Sequence, residues 1–109
     1  MAYDLQLAQQ IRRMLAGQPQ LTERVMFGGI AFMLRGNMVC GVIDDTLMVR
    51  VGPAQHAAAL REAHVQPFDL TGRPMKGWVT VNAPGLADPD DLTRWVQRGI
   101  DFTLTLPAK

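Results

Sequence analysis

Three short apolar segments, residues 30–35, 38–43 and 46–51, follow one another with only two residues in each gap. A two-residue gap cannot carry a crossover, so neighbouring segments can pair only as antiparallel hairpins. Gly36-Asn37 is the stronger turn signal, because both residues tolerate positive φ. Asp44-Asp45 is the weaker one. Val25-Met26-Phe27 is placed to begin the same sheet ahead of Gly28-Gly29, where the missing Cβ lets the backbone bend or bulge.

Helices flank this meander. Leu5, Leu7, Ala8, Ile11, Met14 and Leu15 recur at helical spacing, which predicts a helix over about Asp4 to Ala16. Asp4 can cap its start, and Gly17 with Pro19 stops it. Pro53 to Ala63 is a second predicted helix, with proline at its first position and an alanine-rich body. Residues 65–70 are expected to be extended, followed by a turn over 71–74 and a strand from Met75 to Asn82. The last helix has the best start signal: Asp88 as cap, Pro89 in the first turn, and Asp90 and Asp91 at the positive end of the dipole. Leu92, Trp95, Val96, Gly99, Phe102 and Leu106 fall near one face of it. The expected fold is a two-layer α+β domain in the order α-β-β-β-α-β-β-α. Its antiparallel sheet has about five strands packed with helices. The 109 residues fit one domain, 1–109.

Composition excludes several chemistries. The chain has no serine, so every serine-nucleophile mechanism is ruled out. Its one cysteine, Cys40, allows neither an intramolecular disulfide nor a four-thiolate zinc site. Eleven basic against ten acidic side chains create no field that would draw the chain to nucleic acid. No basic stripe marks a helix, so sequence-specific DNA binding is not expected. No apolar run approaches the ~20 residues of a membrane span. No basic-then-apolar leader opens the chain. With a lone thiol, this makes the cytoplasm the expected location.

The residues that could carry chemistry are few. Cys40 sits mid-strand without the neighbouring cation that a reactive thiolate needs, and so is expected to be a small buried hydrophobe. His56 and His64 would stand ~12 Å apart along a helix and cannot share a metal. Gly28-Gly29 is followed by a strand rather than a helix, which is the wrong setting for a phosphate loop. Asp44 and Asp45 are expected to be turn residues. No catalytic set, metal site or cofactor is expected. Arg24, Arg35, Arg50, Arg73 and Lys76 all fall near strand ends or turns. There they would either discourage edge pairing or receive a phosphate or an acidic peptide. Seven methionines is a high count, and Met26, Met33, Met38, Met48 and Met75 map to strands or their edges. Methionine there is either core filler or an adaptable docking surface.

If Gly36-Asn37 and Asp44-Asp45 are the two-residue turns, Arg35 pairs with Met38 and Ile43 with Thr46. The two faces of the meander can then be sorted. One collects Ala31, Met33, Met38, Cys40, Val42, Leu47, Val49 and Val51, broken by Arg35, and is assigned to the core beneath the helices. The other collects Ile30, Phe32, Leu34, Val39, Gly41, Ile43 and Met48, with Thr46 and Arg50. That face is too apolar to be left in water, so a symmetric homodimer is expected to cover it.

The run from Val25 through Met26-Phe27-Gly28-Gly29 into Ile30-Ala31-Phe32-Met33-Leu34-Arg35-Gly36-Asn37-Met38 resembles the signature of the TfoX N-terminal domain family. The resemblance continues through residues 42–50. It resumes at Gly72-Arg73-Pro74-Met75-Lys76-Gly77-Trp78 and closes with Asp88-Pro89-Asp90-Asp91-Leu92 and Trp95-Val96, covering nearly the whole chain. It implies a small α+β domain with an antiparallel sheet and carries over no catalytic residue or cofactor. The family's named member regulates natural competence for DNA uptake in bacteria, and there a C-terminal domain follows. This chain is too short to hold that second domain, so the regulatory role is expected to transfer poorly.

Two functions compete. The first is a non-catalytic interaction module of a regulatory kind that binds itself or another protein through Phe32, Leu34 and Met48. The second is a small-molecule or phosphate-binding domain built on Arg50, Arg73 and Trp78. An anion pocket lined by those three would favour the second. A flat apolar surface buried against another copy would favour the first.

Overall fold

The computed structural model describes residues 3–26, 28–69 and 74–108. The elements run α1 (Leu5–Leu15), β1 (Leu21–Met26), β2 (Gly29–Leu34), β3 (Asn37–Ile43), β4 (Thr46–Arg50), α2 (Pro53–Leu60), β5 (Val65–Asp69), β6 (Pro74–Val81), a 3-10 turn (Ala83–Leu86) and α3 (Pro89–Thr103). The expected α+β class holds, with an antiparallel sheet of six strands in the order β1-β2-β3-β4-β6-β5.

Helix starts follow the local chemistry. The Asp4 carboxylate accepts from the backbone N–H groups of Gln6 at 2.9 Å and Leu7 at 3.1 Å. Asp88 does the same for Asp90 at 2.9 Å. Each cap satisfies donors that the first turn leaves free and contributes about 1 kcal/mol. α2 ends at Leu60, three residues before the expected Ala63. His64 there has a φ of 67°, which turns the chain into β5.

The main correction concerns register. The β2–β3 turn is Arg35-Gly36, with φ values of 53° and 82°, and Leu34 pairs with Asn37. Positive φ at both central residues matches the twist of the strands. Asn37 is displaced from the turn because it has other work: it is 2% exposed and its Nδ2 donates to the Pro107 carbonyl at 2.9 Å. The Arg35 guanidinium donates to the Leu104 and Leu106 carbonyls, which ties the end of α3 to the same hairpin. The ladder then shifts between Phe32 and Met33: Met33 pairs with Met38, but Phe32 pairs with Cys40. Val39 is left as the bulged residue. The second turn is as expected, with Ile43 opposite Thr46.

Directly paired residues share a face, so the rows across the sheet identify the two sides. Val25–Ile30–Val42–Leu47–Val81–Val65 is one row, and Glu23–Phe32–Cys40–Val49–Val79–Pro67 is its companion. Ile30, Val42, Leu47 and Val81 of the first row and Phe32, Cys40, Val49 and Val79 of the second build one hydrophobic cluster with Ile11 and Leu15 of α1, Ala59 of α2 and Trp95 and Val96 of α3. All three α-helices therefore lie on this side. Phe32 and Leu34 are fully buried in that cluster, so the assignment of β2 to the opposite face is overturned. The bulge at Val39 is the cause. Cys40, Val42, Leu47, Val49 and Val51 are core, as expected.

α3 approaches the sheet closely at Gly99, where a Cβ would lie 3.0 Å from the Val39 carbonyl oxygen. Burial alone pushes the Cys40 thiol up to about 12. A thiol-reactive disulfide reagent at pH 8 should therefore label Cys40 only as fast as the chain unfolds, and promptly in denaturant. Rapid labelling of the native protein would contradict its placement.

Candidate functional site

The face away from the helices is built around the row Arg24–Ala31–Gly41–Met48–Thr80–Gln66. Gly41 stands at its centre, and the methyl groups of Met48 and Met38 converge over the space its missing Cβ leaves. Met33 is the direct partner of Met38, and Arg50 is the direct partner of Trp78. Ala31 and Met48 are buried, at 0% and 1% exposure, yet stand outside the helix-side cluster. Met33, Met38, Ile43 and Trp78 are half-buried. This is a second apolar layer, with the Met48 and Met38 thioethers lying over Gly41. Among the described residues no helix covers it.

At one end of the sheet Arg50 places its guanidinium 5.5 Å from the Trp78 ring centre and 5.5 Å from that of Phe102. Phe68 meets Trp78 with ring centres 6.0 Å apart. Arg50 is thus engaged by two aromatic rings, an arrangement worth roughly 0.5–2 kcal/mol. Arg73 lies outside the described residues, so the three-residue anion pocket expected from Arg50, Arg73 and Trp78 is reduced to one pair, Arg50 and Trp78. Of the expected contact residues, Met48 lies on the open face, while Phe32 and Leu34 lie beneath the helices. Met33 and Met38, expected in the core, lie on this face instead. Their signal was in the sequence as methionine density, but the bulge hid which side they took.

The edges of the sheet are protected. β1 presents Thr22, Glu23 and Arg24 to solvent, and β5 carries Pro67, which has no N–H to offer another strand. Glu23 is paired with Arg12 of α1, and the bond to that guanidinium holds its carboxyl below the usual range. On the helix side Glu62 accepts from Arg94 and Arg98, whose guanidinium groups lie 5.0 Å and 4.4 Å from the Trp95 ring centre. Burial acts to raise the Glu62 carboxyl, but the two arginines outweigh it and the net shift is downward. His56 and His64 share no metal-type cluster, and no group of three such ligands occurs among the described residues. No helix of the described residues is long and apolar enough to cross a membrane.

The model of the TfoX N-terminal domain family matches residues 13–103. No curated protein and no solved structure matches the chain.

Proposed function

The chain belongs to the TfoX N-terminal domain family, and on that premise we propose that it is a non-catalytic protein-interaction module whose open sheet face packs against a second copy. The observation that carries this reading is the methionine-rich layer of Met33, Met38 and Met48, which no helix of the described residues covers. Contiguous apolar surfaces of this kind usually mark contacts, and methionine repacks readily against a partner. Six strands ~4.8 Å apart and ~20 Å long give a face of about 500 Å² in projection, before side-chain relief is counted. Two copies then bury upward of ~1,000 Å², where specific interfaces begin. Two identical sheets share one twist, which suits aligned face-to-face packing. The blocked edges of β1 and β5 direct association to the face. Arg24, at the margin of its row, stays at the rim of such a pair.

In this reading the module works in the cytoplasm as a regulator, without a cofactor and without reading duplex DNA by sequence. The test is sedimentation of the wild type beside Met33→Glu. The variant places a charge on the face at a half-buried position and should be a folded monomer.

A further inference from the structure

The methionines of the open sheet face lie at two depths in a single copy. Met33 and Met38 are direct cross-strand partners and half-buried, whereas Met48 is 1% exposed, with its methyl group over Gly41. We propose that Met33 and Met38 are a reversible oxidation site: a peroxide converts their thioethers to sulfoxides in the free chain, and the sulfoxides block pairing of the sheet faces. This regulation rests on the dimer proposed above.

The oxidant is hydrogen peroxide or an organic hydroperoxide. The thioether sulfur attacks one peroxide oxygen, an S–O bond forms as the O–O bond breaks, and water or an alcohol leaves. Sulfur is oxidised and the peroxide reduced by the same two electrons. A methionine sulfoxide reductase reverses the change, with a dithiol oxidised to a disulfide and the oxygen released as water. The single cysteine does not compete for peroxide. Cys40 is fully buried, and burial pushes its thiol up to about 12, so it presents no thiolate.

The placement of the two side chains directs the effect to association and away from folding. Both stand outside the helix-side cluster and are half-buried, so in a single copy each sulfoxide oxygen keeps water as its donor. Between two packed faces that water is lost. The neighbouring side chains of Ala31, Gly41 and Met48 carry no hydrogen-bond donor. Thr22, opposite Met33 at the β1 edge, offers one hydroxyl against two sulfoxides. Burying an acceptor without a donor opposes association. Pairing covers the same thioethers, so peroxide acts on the separate copies and draws the dimer apart by mass action.

The experiment treats the full chain with hydrogen peroxide at a dilution where copies are separate. Peptide mass spectrometry scores each methionine, and sedimentation is measured before and after. Met33 and Met38 should become sulfoxides before Met48, with Cys40 unmodified and the circular dichroism spectrum native. The dimer dissociation constant should rise at least about tenfold. It should return after treatment with reductases for both sulfoxide epimers and dithiothreitol. The double variant Met33→Leu, Met38→Leu should pair as the wild type does and hold its constant after peroxide. It retains Met75, which is 38% exposed, so oxidation there is controlled for. The double variant Met33→Gln, Met38→Gln carries a permanent polar group at both positions and should be folded yet pair weakly without peroxide. An untreated wild type that does not pair overturns the dimer and this regulation with it. The oxidation site alone is overturned if a pairing wild type keeps its constant after peroxide, if Met48 is oxidised first, if the leucine variant loses pairing to peroxide as the wild type does, or if the glutamine variant pairs as tightly as the wild type.

Discussion

Phe32→Ala is expected to destabilise the domain by about 3–5 kcal/mol in denaturant unfolding, and Phe32→Glu to leave no folded population at 25 °C. The ring is fully buried in the cluster shared by the sheet and all three α-helices, directly paired with Cys40 and Glu23. Truncation removes its contacts and leaves a cavity that the paired strands cannot close. A carboxylate at the same place would be buried in the apolar cluster and set opposite the Glu23 carboxylate. Small domains hold only ~5–15 kcal/mol in total, so either change is a large fraction of the whole. A loss below about 1 kcal/mol for Phe32→Ala would mean that β2 presents its other side to the helices.

Gly52→Ala is expected to cost about 3 kcal/mol, and Gly17→Ala about 1 kcal/mol, in the same measurement. The two glycines have nearly the same φ, 88° and 89°, but a Cβ at Gly17 would meet nothing within 4 Å. At Gly52 the methyl group must displace the Phe102 ring and with it the seat of Arg50. Gly52 also has a ψ of 156°, a backbone region that essentially only glycine occupies, so its larger loss combines that cost with the close approach. Equal losses would show that the Phe102 ring moves aside freely.

Much of the fold was legible because several signals agreed. Asp4, Asp88 and Pro89 start helices for reasons local to themselves, and Asp44-Asp45 set the β3–β4 register by turn length alone. β1 was harder to see beyond Val25-Met26, since an edge strand exposed along Thr22, Glu23 and Arg24 has no apolar alternation to betray it. The β2–β3 register failed for a non-local reason. Asn37 looked like a turn residue, but its amide is committed to Pro107, seventy residues away, and the bulge at Val39 restores the pairing one position off. That single offset exchanged Phe32 and Leu34 for Met33 and Met38 on the open face. The apolar excess of the meander was readable; which of its side chains form the open face required the bulge. The corner at Gly52 was not readable at all, because it depends on Gly52, Gly77 and Phe102 meeting from three separate elements.

The proposed dimer joins two copies through the methionine layer on the open sheet face. Its most direct test is the sedimentation mass of the wild type and of Met33→Glu, each from about 1 to 100 µM. The wild type should move from the chain mass to twice the chain mass across that range. Met33→Glu should keep the native circular dichroism spectrum and remain at the chain mass throughout. A wild type that stays monomeric at the highest concentration, or a folded Met33→Glu that dimerises as the wild type does, would contradict the account.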